Sequence, residues 1–131
     1  MSALQKPIRV LVAGLGNMGL SHAKAYHENG GFEIVGLVNR SEVDLPAALK
    51  DYPRFSAFEE ALAETKPELA SINTYSDTHA AYAIKAMEAG AHVFLEKPIA
   101  TTVDDAERVV ACAKKHERKL VVGYILRHHP S

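Results

Sequence analysis

Short apolar runs alternate with helix-period patterns from one end of the chain to the other. Ile8–Ala13, Phe32–Val38, Leu69–Asn73, His92–Leu95 and Leu120–Tyr124 read as strands, each an apolar run of strand length. Their near-continuous apolar character suits strands covered on both faces. Between them lie helical patterns at Asn17–Asn29, Leu45–Tyr52, Phe58–Glu64, Ser76–Ala89 and Val103–His116. In the fourth, Ala80, Ala83, Ile84 and Met87 share one face at i, i+3, i+4, i+7 spacing; in the last, Val103, Ala106, Val110 and Ala113 turn inward. Gly30-Gly31 ends the first helix, where glycine can take the left-handed conformation, and Gly90 stops the fourth. Pro46 and Pro53 bracket the second, and Thr102 with Asp105 opens the last as a capping box. Arg54–Ser56 could hold a very short extra strand.

Strands alternating with helices build β-α-β units and a parallel sheet. Right-handed crossovers then place helices on both faces. The expected fold is a single α/β domain, a Rossmann doubly wound parallel sheet of about six strands.

The first strand runs directly into Gly14-Leu15-Gly16-Asn17-Met18-Gly19, and a helix follows. Strand, Gly-x-Gly-x-x-Gly and helix in that order make a dinucleotide-binding fingerprint. Gly14 allows the tight turn out of the strand, Gly16 lets backbone approach a pyrophosphate, and Gly19 lets the helix pack on the strand. The helix N-terminus, with Asn17 and Met18 in the loop, offers N–H groups to the phosphates. About 20 residues further on, an Asp or Glu usually holds the ribose of NAD. Here that position is Asn39, followed by Arg40 and Ser41. An Asn does not repel a 2′-phosphate, Arg40 could pair with it, and Ser41 could donate to it, so the site favours NADP over NAD. Glu42 could also swing in and serve NAD.

Composition narrows the partners. The 131 residues fit one domain, and the apolar fraction of 47% is ordinary for a globular protein. A formal net charge of −1 favours neither nucleic acid nor an anionic membrane. No apolar run reaches bilayer length, and the first seven residues lack a signal-peptide core, so a cytoplasmic protein is expected. The single Cys112 sits in a helical pattern and reads as a packed thiol. His22 reads as a packing histidine, and His128-His129 lacks the neighbours of a metal site, so no metal is expected.

A second signature follows in Ala89-Gly90-Ala91-His92-Val93-Phe94-Leu95-Glu96-Lys97-Pro98, where Glu96-Lys97-Pro98 leaves a strand. With the glycine fingerprint, with Asn73-Thr74-Tyr75-Ser76-Asp77-Thr78-His79 and with the segment from Val122 through Arg127 to Pro130, it resembles the glucose–fructose oxidoreductase, inositol dehydrogenase and rhizopine catabolism family (Gfo/Idh/MocA). The resemblance runs over essentially the whole chain. It implies an NAD(P)-dependent enzyme of two halves, the first binding nucleotide and the second shaping a sugar or polyol pocket and often the dimer interface. These 131 residues would be the first half only, binding cofactor without turnover, and meeting a small-molecule substrate only with the second half.

The resemblance also assigns roles. Lys97 stands beside the nicotinamide as the catalytic residue, hydrogen-bonding the reacting hydroxyl and stabilising alkoxide charge. Glu96 orients Lys97, contacts the nicotinamide ribose, or is a plain exposed carboxylate. A cis Lys97–Pro98 bond is implied. Asn73, Thr74 and Tyr75 could touch the ribose, although Tyr75 could only pack, and His79 lines the nicotinamide side, caps or packs. Arg127 could contact substrate or cofactor. Two other classes stay open: a free-standing nucleotide sensor, and a half-protein that self-associates as a homo-oligomer through its uncovered face.

Overall fold

The computed structural model describes residues 6–123. Its strands are β1 (Ile8–Ala13), β2 (Phe32–Val38), β3 (Arg54–Phe55), β4 (Leu69–Ile72), β5 (His92–Glu96) and β6 (Leu120–Gly123). Its α-helices are α1 (Asn17–Glu28), α2 (Phe58–Thr65), α3 (His79–Glu88) and α4 (Val103–His116). All neighbouring strands pair in parallel, in the order β3-β2-β1-β4-β5-β6. The short extra strand at Arg54 is therefore real and closes one edge of the sheet. Tyr124, Arg127, His128, His129 and Pro130 lie outside the described residues.

Alternating strand residues feed two cores. Leu11, Ala13, Ala70, Ile72, Val93 and Leu95 face α2, α3 and α4, where Phe58, Leu62, Ala83, Met87 and Val109 meet them. Val10, Val12, Ile34 and Leu37 face the other way, against Ala23 of α1 and Leu45 and Leu49 of the following loop. The two faces explain the continuous apolar strands, because both sets of side chains are buried.

Several boundaries shift, each for a local reason. The first helix stops at Glu28, and Asn29 is extended with φ −100°. Gly30 and Gly31 are not left-handed; instead the Asn29 Oδ1 accepts the Gly31 N–H at 2.8 Å and makes the turn. The expected helix Leu45–Tyr52 shrinks to one 3-10 turn, Ala47–Leu49. Pro53 disfavours helical backbone at Tyr52, and so short a segment cannot repay nucleation. The fourth helix begins at His79, preceded by a 3-10 turn at Ser76–Thr78 whose Thr78 hydroxyl donates to Tyr75 O. The strands Leu69–Asn73 and His92–Leu95 end at Ile72 and Glu96, and Phe58–Glu64 gains Thr65. Gly90 does stop α3, with φ +99°, and Thr102 Oγ1 does cap α4 by accepting the Asp105 N–H at 3.1 Å.

One correction concerns the face of α4. Val109, Cys112 and Ala113 are its buried residues, while Val103 is 73% exposed and Val110 41%. Two adjacent valines, Val109 and Val110, serve a 3.6-residue period almost equally well. Packing on α3 selects Val109.

Candidate functional site

Register puts four strand ends in one row. Ala13 aligns with Val38 on one side and Ile72 on the other, and Ile72 aligns with Leu95. One residue further along lie Gly14, Asn39, Asn73 and Glu96. Chain order reverses between β1 and β4, so this carboxyl-end row borders the crevice where open parallel sheets hold ligands.

The three fingerprint glycines differ: packing requires Gly14 and Gly19, and the space over Gly16 is open. Gly14 has φ +88°, and a Cβ there would lie 2.5 Å from Asn73 O. A Cβ on Gly19 would lie 1.8 Å from Gly14 O, so the first turn of α1 can sit on the loop only without a side chain. A Cβ on Gly16 would meet nothing within 4 Å. Gly16 is the N-cap of α1, which has no side-chain cap and no acidic residue in its first turn, where Asn17 and Met18 stand exposed. Among the described residues, the positive end of the helix thus has neither a side-chain cap nor an acidic group in its own first turn.

Asn39 braces this loop. Its Oδ1 accepts the N–H of buried Leu15 at 2.9 Å, and its Nδ2 donates to Ser41 O at 2.8 Å. Beside it opens a cavity of about 520 Å³ lined by Gly14, Gly16, Arg40, Ser41, Asn73 and Thr74, among others. An adjoining cavity of about 280 Å³ shares Asn39, Arg40 and Ser41 and adds Glu42 and Arg54. Arg54 Nη1 donates to Val43 O at 3.1 Å. The lining role of Arg54 was not legible in the sequence, because it comes from β3, whose pairing on β2 only the sheet reveals.

Asn73 Nδ2 bonds Ser71 and Ala13, but its Oδ1 is buried without a partner among the described residues. A buried acceptor left unmet costs about 1–3 kcal/mol, so it suits a donor brought by a ligand. That orphan oxygen, the open space over Gly16 and the bare helix end together fit a dinucleotide. Thr74 Oγ1 lies 2.6 Å from Thr78 Oγ1, and Tyr75 is 77% exposed on the cavity rim.

At the far end of the row, Lys97 is exposed just beyond β5, and its bond to Pro98 is cis. Glu96 binds across the sheet face: its Oε2 is 2.8 Å from His22 Nε2. His22 is indeed packed, with its ring centroid 5.1 Å from that of Phe94, but the carboxylate partner 74 residues away had no local signal. His79 is 2% exposed, with Nδ1 2.6 Å from Pro98 O and Nε2 3.0 Å from Thr74 O.

Away from the row, Cys112 is buried, and burial is the main cause pushing its thiol pKa up. Its donor atom lies within 4.8 Å of those of Glu88 and His116, at the ends of α3 and α4. The thiol already faces Ile84 O at 3.9 Å, and Glu88 is exposed. Among the described residues, no helix is long and apolar enough to cross a membrane.

Comparison with known proteins agrees with this geometry. Residues 8–124 match the GFO_IDH_MocA model, described as an oxidoreductase family with an NAD-binding Rossmann fold. Inositol 2-dehydrogenase of Agrobacterium fabrum is 35% identical over 130 residues, covering 92% of this chain and 38% of that protein. UDP-N-acetylglucosamine 3-dehydrogenase of Acidithiobacillus ferrooxidans is 32% identical over 124 residues, covering 95% of this chain and 39% of that protein. The crystal structure of the WlbA dehydrogenase of Chromobacterium violaceum, in complex with NADH and UDP-GlcNAcA, superposes with a TM-score of 0.81 at 28% identity, covering 92% of this chain and 36% of that one. The chain thus spans less than two thirds of the length of each of these relatives.

Proposed function

The chain belongs to the Gfo/Idh/MocA oxidoreductase family, and from that premise we propose that it binds the nicotinamide cofactor for hydride exchange with a sugar, polyol or related hydroxy compound. The observation that carries this reading is the row of strand ends. It sets a glycine turn open at Gly16, an orphan acceptor at Asn73 and a lysine at position 97 along one crevice. When bound, nicotinamide supplies the hydride-accepting or hydride-donating carbon, C4. The chain's own residues do the rest. The first turn of α1 and the Gly16 backbone hold pyrophosphate, while Asn73, Thr74 and Tyr75 hold the nicotinamide ribose. The Lys97 ammonium donates to the reacting hydroxyl oxygen and stabilises the negative charge that grows there as hydride leaves.

Preference for NADP over NAD belongs to the same proposal. Asn39 carries no charge and is committed to Leu15 and Ser41, whereas Arg40 and Arg54 both line the adenosine-side cavity. Glu42 lines that cavity too and would suit an NAD ribose. Substrate selection is assigned to sequence outside these residues, since the relatives are far longer. The 131 residues are therefore proposed to bind cofactor without turnover in the cytoplasm, and to self-associate through exposed apolar side chains such as Val103, Val110, Val121 and Val122.

Calorimetric titration with NADPH and then NADH tests the reading. Binding of both, with NADPH at least tenfold tighter, is expected; Arg40→Ala should remove the difference. Binding of neither would overturn the cofactor assignment. In an enzyme that includes this chain, Lys97→Ala should abolish hydride transfer while leaving cofactor affinity within about threefold.

A further inference from the structure

Lys97 is an exposed side chain on a segment that leaves the sheet at Glu96 and regains regular structure only at Val103. Proton and charge chemistry needs its ammonium held within about 0.5 Å of the productive place. A side chain with four rotatable bonds can be placed that closely only above a fixed backbone.

The residues on either side of Lys97 are each gripped by a buried histidine. Glu96 Oε2 meets His22 Nε2 at 2.8 Å, with side-chain exposures of only 14% and 10%. The His22 ring is itself held against Phe94. Pro98 O meets His79 Nδ1 at 2.6 Å, and the other ring nitrogen meets Thr74 O at 3.0 Å. Both partners of His79 are carbonyl oxygens, so a neutral imidazole donates to one of them and lies against the other, while an imidazolium donates to both. His22 comes from α1, the helix of the glycine loop, and His79 opens α3 behind the ribose-side loop. Each therefore ties one flank of Lys97 to an element that contacts the proposed cofactor.

We propose that His22 and His79 form a two-sided clamp that positions Lys97 against the nicotinamide, acting through Glu96 and Pro98 without touching substrate. The proposal rests on the hydride-transfer reading above. It is a positioning role, and it makes a core-looking pair of histidines part of the reaction's geometry.

The test uses His22→Leu and His79→Leu, with His22→Gln and His79→Gln as donor-retaining partners. In the 131-residue chain, NMR order parameters for Lys97 and Ile99–Thr102 are compared with those of β1 and β4. A rigid wild-type value near about 0.85 should fall toward about 0.6 in the leucine variants, while β1 and β4 keep theirs and the glutamine variants recover most of the loss. In an enzyme that includes this chain, the leucine variants should lose at least tenfold in kcat at unchanged KM for cofactor. Unchanged order over the segment, or a uniform loss across the sheet with weakened cofactor binding, overturns the clamp. Should a leucine variant fail to fold, Glu96→Ala, which removes the acceptor that His22 meets, must by itself lower the order at Lys97, and its failure to do so also overturns the clamp. A wild-type chain that binds neither NADPH nor NADH would defeat the hydride-transfer reading instead, since the order parameters are read without cofactor.

Discussion

Replacing Gly16 by alanine separates the cofactor role of the loop from its structural role. At Gly14 and Gly19 an added Cβ would lie 2.5 Å and 1.8 Å from backbone oxygens, distances that require the loop or helix to move. Forcing a methyl group into such packing costs about 1–3 kcal/mol. At Gly16 the added Cβ meets nothing within 4 Å, and the backbone, at φ −75°, is open to any residue. Two small effects then oppose each other. Alanine is the poorer N-cap, by about 0.5–1 kcal/mol, and it stiffens the unfolded chain, a gain of about 0.4–1 kcal/mol. Gly16→Ala should therefore melt within a few degrees of wild type, whereas Gly19→Ala should be clearly destabilised. Cofactor affinity should behave in the opposite sense. The methyl group projects into the space assigned to pyrophosphate, so Gly16→Ala should weaken NADPH at least tenfold, which is about 1.4 kcal/mol. Thermal melts and fluorescence titration of the same samples read both quantities. A folded Gly16→Ala protein with wild-type affinity would refute the assignment of the loop. Unfolding of Gly16→Ala would refute the packing argument.

Other outcomes follow from single contacts. Asn39→Ala leaves the buried Leu15 N–H without its acceptor and should cost about 1–3 kcal/mol by chemical denaturation. Asn39→Asp keeps that acceptor but adds a negative charge beside Arg40, so the NADPH-to-NADH affinity ratio should fall at least tenfold; an unchanged ratio would count against the adenosine-side assignment. His92 has its pKa lowered from 6.5 by burial first and by Arg118 and Lys119 next, and its Nδ1 accepts the Lys119 N–H at 2.8 Å. The unfolded chain therefore takes up this proton at higher pH than the folded one. The associated stability is complete above pH 6.5, declines as pH falls through that value, and is gone below the lowered folded value. His92→Gln should flatten the melting-temperature profile over that window, and an unaltered slope would show that other groups carry it. Cys112, buried and with its thiol pKa raised, should react with a disulfide reagent at neutral pH at least tenfold more slowly than free cysteine.

The local chemistry of the chain settled its fold class and the addresses of the crevice. Apolar runs of strand length alternating with helical patterns allow little besides a parallel sheet covered on both faces, and all six strands lie where such runs or the Arg54 segment stood. Gly14 and Gly19 were legible because steric exclusion at a turn acts over a few residues and leaves its mark in sequence spacing. Lys97 was singled out through the resemblance that Glu96-Lys97-Pro98 carries, and its role is part of the proposal above. What waited for tertiary structure was every choice between locally equivalent options. A period of 3.6 does not distinguish Val109 from Val110; the surface of α3 does. The sequence offered Glu96 as a partner for Lys97 or ribose or as a plain exposed carboxylate, and the fold adds a contact with His22 of α1, whose ring packs on Phe94 of β5. The sequence left His79 to cap, pack or line the site, and the fold buries it with its ring between the carbonyls of Pro98 and Thr74. Arg54 joined Arg40 only because β3 pairs beside β2. Backbone sterics and hydrophobic period are properties of a few consecutive residues. Partnerships across tens of residues depend on the order and register of strands, which no short window contains.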